Sequence, residues 1–345
     1  MEITMINADI CHETLVKNTT PALAYNKDAD YSQWRKAIKE KLIALTGFDL
    51  VAANACPPNM QIEFEEDRED CKIIRFTFES EVGETVPCYL VVPKLGKKKY
   101  PVAITLQGHS TGFHNSIGIK KYPADENYHP RGQFALQAAK QGYIALAIEQ
   151  RGMGERKPSR ANRSSKDSCR FAGSVALMLG RTLLAERVWD ISRAIDLLAN
   201  FEEADTDKIL ITGNSGGGTA SFYAACLEER IKICAPSCAF CPYPESILDI
   251  FHCICNYIPS AYRYFDMQDL ACLIAPRNFI AIAGKEDDIF PIAGVRRGFE
   301  TVREIYKANG VEENCRLIET PKNHWWCEDI VWSAINEEAT KLGWR

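Results

Sequence analysis

One serine in this chain stands where a nucleophile could be activated. Ser215 is the centre of a Gly-Asn-Ser-Gly-Gly stretch at residues 213–217. The β-branched run 208–212 before it predicts a buried strand, and the alanine-rich run 218–225 after it predicts a helix. A serine on such a sharp turn exposes its hydroxyl, and the next backbone N–H, on Gly216, points at a developing oxyanion. The alternative interpretation is a glycine-rich turn without chemistry; a phosphate-binding loop is disfavoured because its lysine is missing.

A serine nucleophile needs a base, and two histidines follow Ser215 in the chain, His252 and His324. In a strand–turn–helix site of this kind the expected order is nucleophile, acid, histidine. His324 lies between the last predicted strand, 316–319, and the last predicted helix, 328–342, whereas His252 precedes the later strands. His324 is therefore predicted as the base, with His252 as the alternative.

The histidine needs a carboxylate to orient it. Three acids, Glu286, Asp287 and Asp288, directly follow the predicted strand 279–283. A Gly-x-x-Asp spacing favours Asp287 as the orienting acid, Asp288 is second and Glu286 is third. The alternative is that some of these acids only cap the helix predicted from Ile292, as acidic residues commonly do.

A second donor to the oxyanion is expected from the loop after the strand that ends at Leu106. That loop begins with Gln107, Gly108 and His109. Gly108 allows the backbone to approach the substrate, and the N–H of His109 is predicted to join that of Gly216. The imidazole of His109 either contacts substrate or packs.

Strands and helices alternate from Tyr100 onward, which predicts an α/β fold with a mainly parallel, doubly wound sheet and helices on both faces. The predicted strands of this part are 101–106, 143–148, 208–212, 231–235, 279–283 and 316–319. Two further strands, 71–79 and 85–93, predict a hairpin. Residues 1–70 show no strand alternation and predict a helical extension, with a helix over 31–46, packed on a catalytic domain of residues 71–345.

Two segments interrupt this alternation, the basic segment 156–170 and the aromatic, cysteine-rich segment 237–267. Both are expected near the site, because such excursions beyond strand ends commonly cover it. The aromatic segment predicts a roof, with Tyr243 and Tyr257 as candidate substrate contacts, and Trp325 beside the histidine is a third. The alternative is that its rings bury one another or form a subunit contact, so a homo-oligomer stays open.

The composition of the 345 residues excludes some partners. A net charge of −5 and the lack of a basic run with aromatics disfavour nucleic acid, and no apolar run is long enough to predict a membrane span. The N-terminus shows no secretory pattern, so the 14 cysteines are predicted as reduced thiols in a cytoplasmic protein. A zinc site is an alternative for one group of cysteines. That group is Cys238, Cys241, Cys253 and Cys255, with His252 nearby.

Taken in order, these motifs resemble the α/β-hydrolase superfamily, most closely its acetyl xylan esterase-like and dienelactone hydrolase-like branch. The resemblance covers about residues 70–345 and is carried by motif order. The motifs lie at residues 106–109, 142–146, 151–156, 213–218, 284–287 and 323–324. Glu149 and Gln107 depart from the residues that the family often has at these positions, which puts substrate choice in doubt more than chemistry.

The resemblance implies a serine esterase that uses Ser215, Asp287 and His324, with Gly216 and His109 donating to the oxyanion. It implies a small-molecule ester substrate, with a small acyl group such as acetyl on a carbohydrate, and no metal or organic cofactor. A prolyl-oligopeptidase-like peptidase is an alternative, although too few residues precede the sheet for its usual propeller. A hydrolase-fold binding protein without turnover is the other.

Overall fold

The computed structural model describes residues 7–160 and 168–345. Its strands are β1 Gln61–Asp67, β2 Cys71–Glu81, β3 Glu84–Pro93, β4 Tyr100–Leu106, β5 Ile144–Ile148, β6 Ala204–Asn214, β7 Ile231–Ser237, β8 Asn278–Gly284 and β9 Cys315–Thr320. Its α-helices are α1 Ile10–Asn18, α2 Tyr31–Thr46, α3 Phe48–Ala52, α4 Phe134–Lys140, α5 Ser168–Met178, α6 Leu183–Leu197, α7 Gly216–Leu227, α8 Ala271–Ile274, α9 Ile292–Ala308 and α10 Glu328–Lys341.

The nine strands form one sheet in the order β1-β2-β3-β5-β4-β6-β7-β8-β9. The pairs from β5–β4 to β8–β9 are parallel, and the pairs from β1–β2 to β3–β5 are antiparallel. The carboxyl ends of β4, β6, β8 and β9 therefore lie at the same edge of the sheet. This edge is where a site is expected in an open parallel sheet.

Apolar side chains bury both faces of the sheet. On β4, Ile104 and its neighbours at alternate positions join a core with α2, α6, α7 and α9, whereas Ala103 joins the opposite core with α4 and α10. Such alternation follows from the two-residue period of a strand. The predicted fold class, a mainly parallel α/β sheet with helices on both faces, is confirmed.

One strand contradicts the prediction for the N-terminal segment. β1 pairs antiparallel with β2 and is exposed along its whole length. Its sequence is dominated by acidic residues, which are depleted in strands, so the weak apolar alternation of Ile62 and Phe64 was not recognised. The predicted boundary at residue 70 consequently divides a hairpin, and among the described residues 7–70 the helices end at Ala52.

The helical segment before β1 is held to the α/β body by hydrogen bonds to backbone carbonyls. Leu23 N–H donates to the carbonyl of Tyr264 at 2.6 Å, and Arg35 Nε donates to the carbonyl of Cys272 at 2.9 Å. The buried face of α2, including Trp34 and Ile38, completes the core on this side. Across the described ranges, the helices are all too short or too polar to cross a lipid bilayer.

The basic excursion 156–170 is described in part, since residues 161–167 lie outside the described ranges. The residues from Ser168 onward begin helix α5, an element that the sequence reading did not predict. In α5, Gly173 leaves room for Ile254, since a Cβ there would lie 2.5 Å from the isoleucine Cγ2. The two excursions therefore pack on each other through this contact.

Candidate active site

Ser215 lies on a strained turn between β6 and α7. Its backbone angles are φ 56° and ψ −125°, outside the regions that residues other than glycine usually adopt. The Ser215 N–H donates to the carbonyl of Ser237 at 2.9 Å, and the Ser215 carbonyl accepts from the N–H of Thr219 at 2.8 Å. These bonds tie the turn to β7 and to the first turn of α7. The turn exposes the serine above the sheet edge, as a nucleophile elbow requires.

Asp287 and His324 meet at the same edge, in the loops after β8 and β9. His324 Nδ1 lies 2.9 Å from Asp287 Oδ2, and Asp287 Oδ1 accepts the N–H groups of Ile289 and Phe290 at 2.9 and 3.1 Å. The carboxylate side chain is fully buried, and the imidazole remains 20% exposed. The phenyl ring of Phe290 stacks on the imidazole, with 6.0 Å between the two ring centres. The acid is therefore held at several points, while one side of the histidine faces the cavity.

The neighbouring candidates are placed differently. Glu286 and Asp288 are exposed, and helix α9 begins after Pro291 without a side-chain cap. His252 Nε2 lies 3.2 Å from the hydroxyl of Ser246. Burial, followed by the nearby charge of His324, lowers the pKa of His252. The structure therefore pairs Asp287, which the Gly-x-x-Asp spacing favoured, with His324, which chain order favoured.

The surroundings of Asp287 decide its charge. Burial opposes ionisation, but the hydrogen bond and charge of His324, with the two backbone N–H groups, outweigh it and hold the pKa of Asp287 below its ordinary value. An ionised acid accepts the Nδ1 proton, so the free Nε2 of His324 carries the lone pair. That tautomer can take a proton from a hydroxyl.

The loop after β4 lies against the elbow. A Cβ on Gly108 would lie 2.8 Å from the carbonyl oxygen of Asn214, so glycine is needed for this approach. A Cβ on Gly216 would lie 3.0 Å from the imidazole of His109, which places that ring over the start of α7. The loop thus brings the backbone at 108–109 next to Gly216, where two N–H groups could serve one oxyanion.

Buried side chains under this loop fix its position. Gln107 Nε2 donates to Glu149 Oε1 at 3.2 Å. The backbone carbonyl of Gln107 accepts from Gln150 Nε2 at 2.6 Å. Glu149 also accepts the N–H groups of Phe113 and Glu155. Burial nevertheless raises the pKa of Glu149 to about 7. The two residues that depart from the family pattern, Gln107 and Glu149, therefore contact each other beneath the site.

Two cavities meet at this loop, sharing His109, Ser110 and Tyr128. The smaller cavity, about 140 Å³, is lined by Ser215 and His324. The larger, about 580 Å³, is lined by the excursions, including segments 168–170 and 251–254. We call them the serine cavity and the outer cavity. A substrate that reacts at Ser215 can extend past His109 into the outer cavity.

Arg131 was missed from the sequence, although it lines the serine cavity. Its guanidinium lies 3.6 Å from the centre of the Trp325 ring, and its buried Nε has no hydrogen-bond partner among the described residues. Trp325 is 41% exposed and supports Arg131 rather than lining the serine cavity. Nothing in the sequence around residue 131 indicated a functional position, because the fold alone brings Arg131 to the cavity that Ser215 lines.

The predicted substrate contacts of the aromatic excursion divide into two kinds. Tyr243 is buried in the core, and its hydroxyl lies 2.6 Å from that of Tyr223. It lines neither the serine nor the outer cavity, so the expectation that it contacts substrate is corrected. Tyr257 lines the outer cavity, as does Phe251, which is 82% exposed. The excursion therefore acts as core in its first half and as cavity wall around 251–257.

The cysteines considered for zinc do not converge. Cys238 lies beside Asp287 and His324, and Cys241 Sγ lies 4.0 Å from the carbonyl of Pro291. Cys253 and Cys255 instead lie near His109 and Cys169. Within the described ranges, no group of mutually close metal-ligating side chains joins the 238–241 pair to the 253–255 pair. The structure therefore does not support the alternative in which these two pairs form one zinc cluster.

The sheet order, the elbow serine and the acid–histidine pair define the chain as a protein of the α/β-hydrolase class. It belongs to the abhydrolase family, whose model matches residues 4–329. A curated relative, a candidate hydrolase named YtaP from Bacillus subtilis (strain 168), is 25% identical over 264 residues. That match spans 75% of this chain and 85% of the relative.

Solved structures show the same fold. A candidate acetyl xylan esterase of Bacteroides fragilis is similar at a TM-score of 0.75 and 19% identity, covering 92% of this chain and 83% of that one. A glucuronoyl esterase of Solibacter usitatus is similar at a TM-score of 0.66 and 16% identity, covering 93% and 97%. At these identities the likeness concerns the fold, and the resemblance to an acetyl xylan esterase-like branch of α/β hydrolases is confirmed at that level.

Proposed function

We propose that the protein is a serine esterase. The observation that carries the proposal is the strained Ser215 turn, which opens on the same cavity as the histidine that Asp287 orients. Ser215 Oγ attacks the ester carbonyl while His324 Nε2 takes its proton. His324 then protonates the leaving alcohol, and a water molecule, activated in the same way, hydrolyses the acyl-enzyme.

Backbone donors stabilise the charge that develops on the carbonyl oxygen. The N–H of Gly216 lies at the start of α7, where the helix dipole adds to its effect. The N–H of His109 is the second donor, supplied by the loop that Gln107 and Glu149 hold. The N–H groups are fixed before the substrate binds, which is what makes such stabilisation effective.

The substrate is proposed to be a small-acyl ester, with the acyl group in the serine cavity. A volume of about 140 Å³ suits an acetyl group better than a long chain. The alcohol part then extends into the outer cavity, whose 580 Å³ and exposed Phe251 suit a sugar ring. Similar folds named as acetyl xylan and glucuronoyl esterases agree with a carbohydrate ester.

A second substrate class, esters that carry an additional carboxylate, is favoured by Arg131. Its guanidinium lines the serine cavity, and among the described residues no carboxylate forms an ion pair with it. An anionic group on the substrate would supply that partner. Replacing Arg131 with glutamine should lower kcat/KM for a monosuccinate ester and leave that for the matched acetate ester unchanged.

The proposed reaction is tested by labelling and by a substrate panel. A serine-directed fluorophosphonate should modify Ser215, located by peptide mass spectrometry, and should abolish hydrolysis in proportion to labelling. Acetyl, butyryl and octanoyl esters of p-nitrophenol, with acetylated xylo-oligosaccharides, then report acyl length. Labelling elsewhere with activity retained, or turnover of peptides but not esters, would contradict the proposal.

A further inference from the structure

One histidine and two cysteines converge beside the outer cavity, and a third cysteine, Cys255, adjoins the histidine. The ligand atoms of His109, Cys169 and Cys253 all lie within 4.8 Å of one another. Cys255 Sγ lies 3.5 Å from His109 Nε2. These four residues come from three separate parts of the chain, the loop after β4, helix α5 and the turn at 253–255. No cysteine among the four is in a disulfide.

We propose that His109, Cys169, Cys253 and Cys255 bind one zinc ion in tetrahedral geometry. Three thiolates and one imidazole are a common ligand set of structural zinc sites. For the usual Zn–S and Zn–N bond lengths, the edge of such a tetrahedron between nitrogen and sulfur is about 3.5 Å. The separation of His109 Nε2 and Cys255 Sγ, 3.5 Å, equals that edge.

A buried arginine supplies the second observation. Arg187 is 2% exposed, and its Nη2 donates to Cys169 Sγ at 3.2 Å. Its other hydrogen bonds go to the carbonyl of Arg151. Over residues 7–160 and 168–345, no carboxylate lies within ion-pair distance of this guanidinium. A buried cation without a carboxylate is costly unless another anion compensates it.

The charges of the proposed site balance with this arginine. Three thiolates around a divalent ion leave one negative charge, which Arg187 neutralises through its contact with the Cys169 sulfur. An ion could enter from the outer cavity, because His109, Cys169 and Cys253 line it. Cys255 and Arg187 form the buried side of the site, at 1% and 2% exposure.

The ion would connect separate parts of the site without taking part in the reaction. It would join the loop that carries Gly108 and His109 to α5 and to the wall of the outer cavity at 253–255. His109 would then act as a positioning residue for its own backbone N–H. That consequence rests on the proposed esterase function, whereas zinc binding itself does not.

The metal content of the whole protein tests the site directly. Protein purified with a reductant and without chelators should contain about one zinc per chain by elemental analysis. Exchange for cobalt should give thiolate-to-cobalt charge-transfer absorption and the intense visible bands of a tetrahedral ion. A protein that holds neither ion after dialysis against each, or in which these cysteines form a disulfide under the same reducing conditions, would overturn the proposal.

Single substitutions locate the ion. Cys255→Ser should weaken zinc retention against a competing chelator by at least about tenfold, the factor that loss of an outer contact alone can reach. Cys241→Ser is the matched control, since Cys241 is equally buried and its sulfur lies near Pro291. If Cys255→Ser does not fold, His109→Ala on the exposed loop gives the same measurement. Equal zinc loss in the control, or none in both ligand variants, would contradict the assignment.

Discussion

The serine cavity and the outer cavity touch at His109 but are built in different ways. The serine cavity takes its proposed reacting groups from residues that directly follow β4, β6 and β9. The outer cavity is walled by α5 and by the turns around 251–257, which belong to the two excursions. The first is thus determined by motifs at strand ends, and the second by how distant segments pack on each other.

This difference separates the two tasks that the proposed reaction requires. The proposed reacting groups are held at the carboxyl edge of the sheet, whose nine strands are joined by backbone hydrogen bonds. Groups that select the substrate lie on segments with mostly short 3₁₀ turns. Functional loops placed on a rigid scaffold in this manner can change specificity while chemistry is kept. Substitutions in one cavity or the other should therefore have separable effects.

The largest expected effect is that of Ser215→Ala. Removing the nucleophile should lower kcat by roughly 10⁴-fold or more, with an unchanged circular dichroism spectrum, because the turn is held by backbone hydrogen bonds. Ser110→Ala is the control, since Ser110 lines both cavities without contacting the acid–histidine pair. Comparable losses in both variants would place the nucleophile elsewhere.

Asp287→Asn should have the next largest effect, a fall in kcat of roughly 10³- to 10⁴-fold. The amide would present an N–H or a weaker acceptor to His324 Nδ1 and would favour the tautomer that cannot act as the base. Asp288→Asn, one residue away and exposed, should stay within a few-fold of the unchanged enzyme. Steady-state kinetics on one acetate ester measure both. A reversal of this order would move the orienting role to Asp288.

The proposed reacting groups at the serine cavity could be predicted from the sequence because they follow strand ends in a fixed order. Arg131, which lines the same cavity, follows no strand end and was not predicted. Asp287 was preferred to Asp288 on spacing alone, and the structure adds the reason, since one side chain is buried and the other exposed. The close approach of the loop after β4 to the turn of Ser215 was also indicated locally, by a glycine. A Cβ on Gly108 would meet the carbonyl of Asn214. Local backbone geometry therefore carried most of this information.

The outer cavity could not be predicted in the same way. Cys169 lies 84 residues before Cys253, in a helix with no periodic signal that the sequence reading used. Tyr243 and Phe251 are both aromatic residues of one excursion, yet the first is core and the second is exposed wall. Amino-acid composition does not show which of these aromatic side chains is buried and which is exposed, because burial depends on the side chains that the neighbouring elements present. The acidic edge strand β1 was missed for a related reason, since pairing with β2 outweighs its poor strand propensity.

Glu149 lies buried beneath the loop after β4, and its titration predicts a pH-dependent difference in stability. Burial raises the pKa of Glu149 to about 7 in the folded protein, above the ordinary value of the unfolded chain. Its contribution to folding is therefore complete below that ordinary value and is lost as pH rises toward and through about 7. Relative to Glu149→Gln, the unchanged protein should lose about 2 kcal/mol of unfolding free energy between about pH 5 and pH 7.

Urea unfolding at several pH values measures this difference. Glu155→Gln is the control, because the pKa of Glu155 lies below its ordinary value: burial opposes that shift, and the hydrogen bonds to Arg75 and Lys121 outweigh it. Glu155→Gln should therefore not reproduce the loss of relative stability toward neutral pH. A Glu149→Gln profile parallel to that of the unchanged protein would mean that the carboxylate is stabilised as an anion beneath the loop.

The smallest expected effect, and the one that tests the outer cavity alone, is that of Phe251→Ala. Phe251 is 82% exposed on the cavity wall, so its removal should leave the melting temperature nearly unchanged. If the alcohol part of the substrate lies there, kcat/KM for an acetylated xylo-oligosaccharide should fall by about tenfold, the value of losing one apolar contact surface in a pocket. Hydrolysis of p-nitrophenyl acetate should change little, because that ester needs the serine cavity alone.

Tyr243→Ala is the contrasting variant, because Tyr243 is buried in the core. It should lower the free energy of unfolding by about 3 kcal/mol through a core cavity, and activity on both substrates should fall together. Equal loss on both esters in Phe251→Ala would show that the outer cavity does not hold the alcohol part, and substrate selection would then have to lie within the serine cavity.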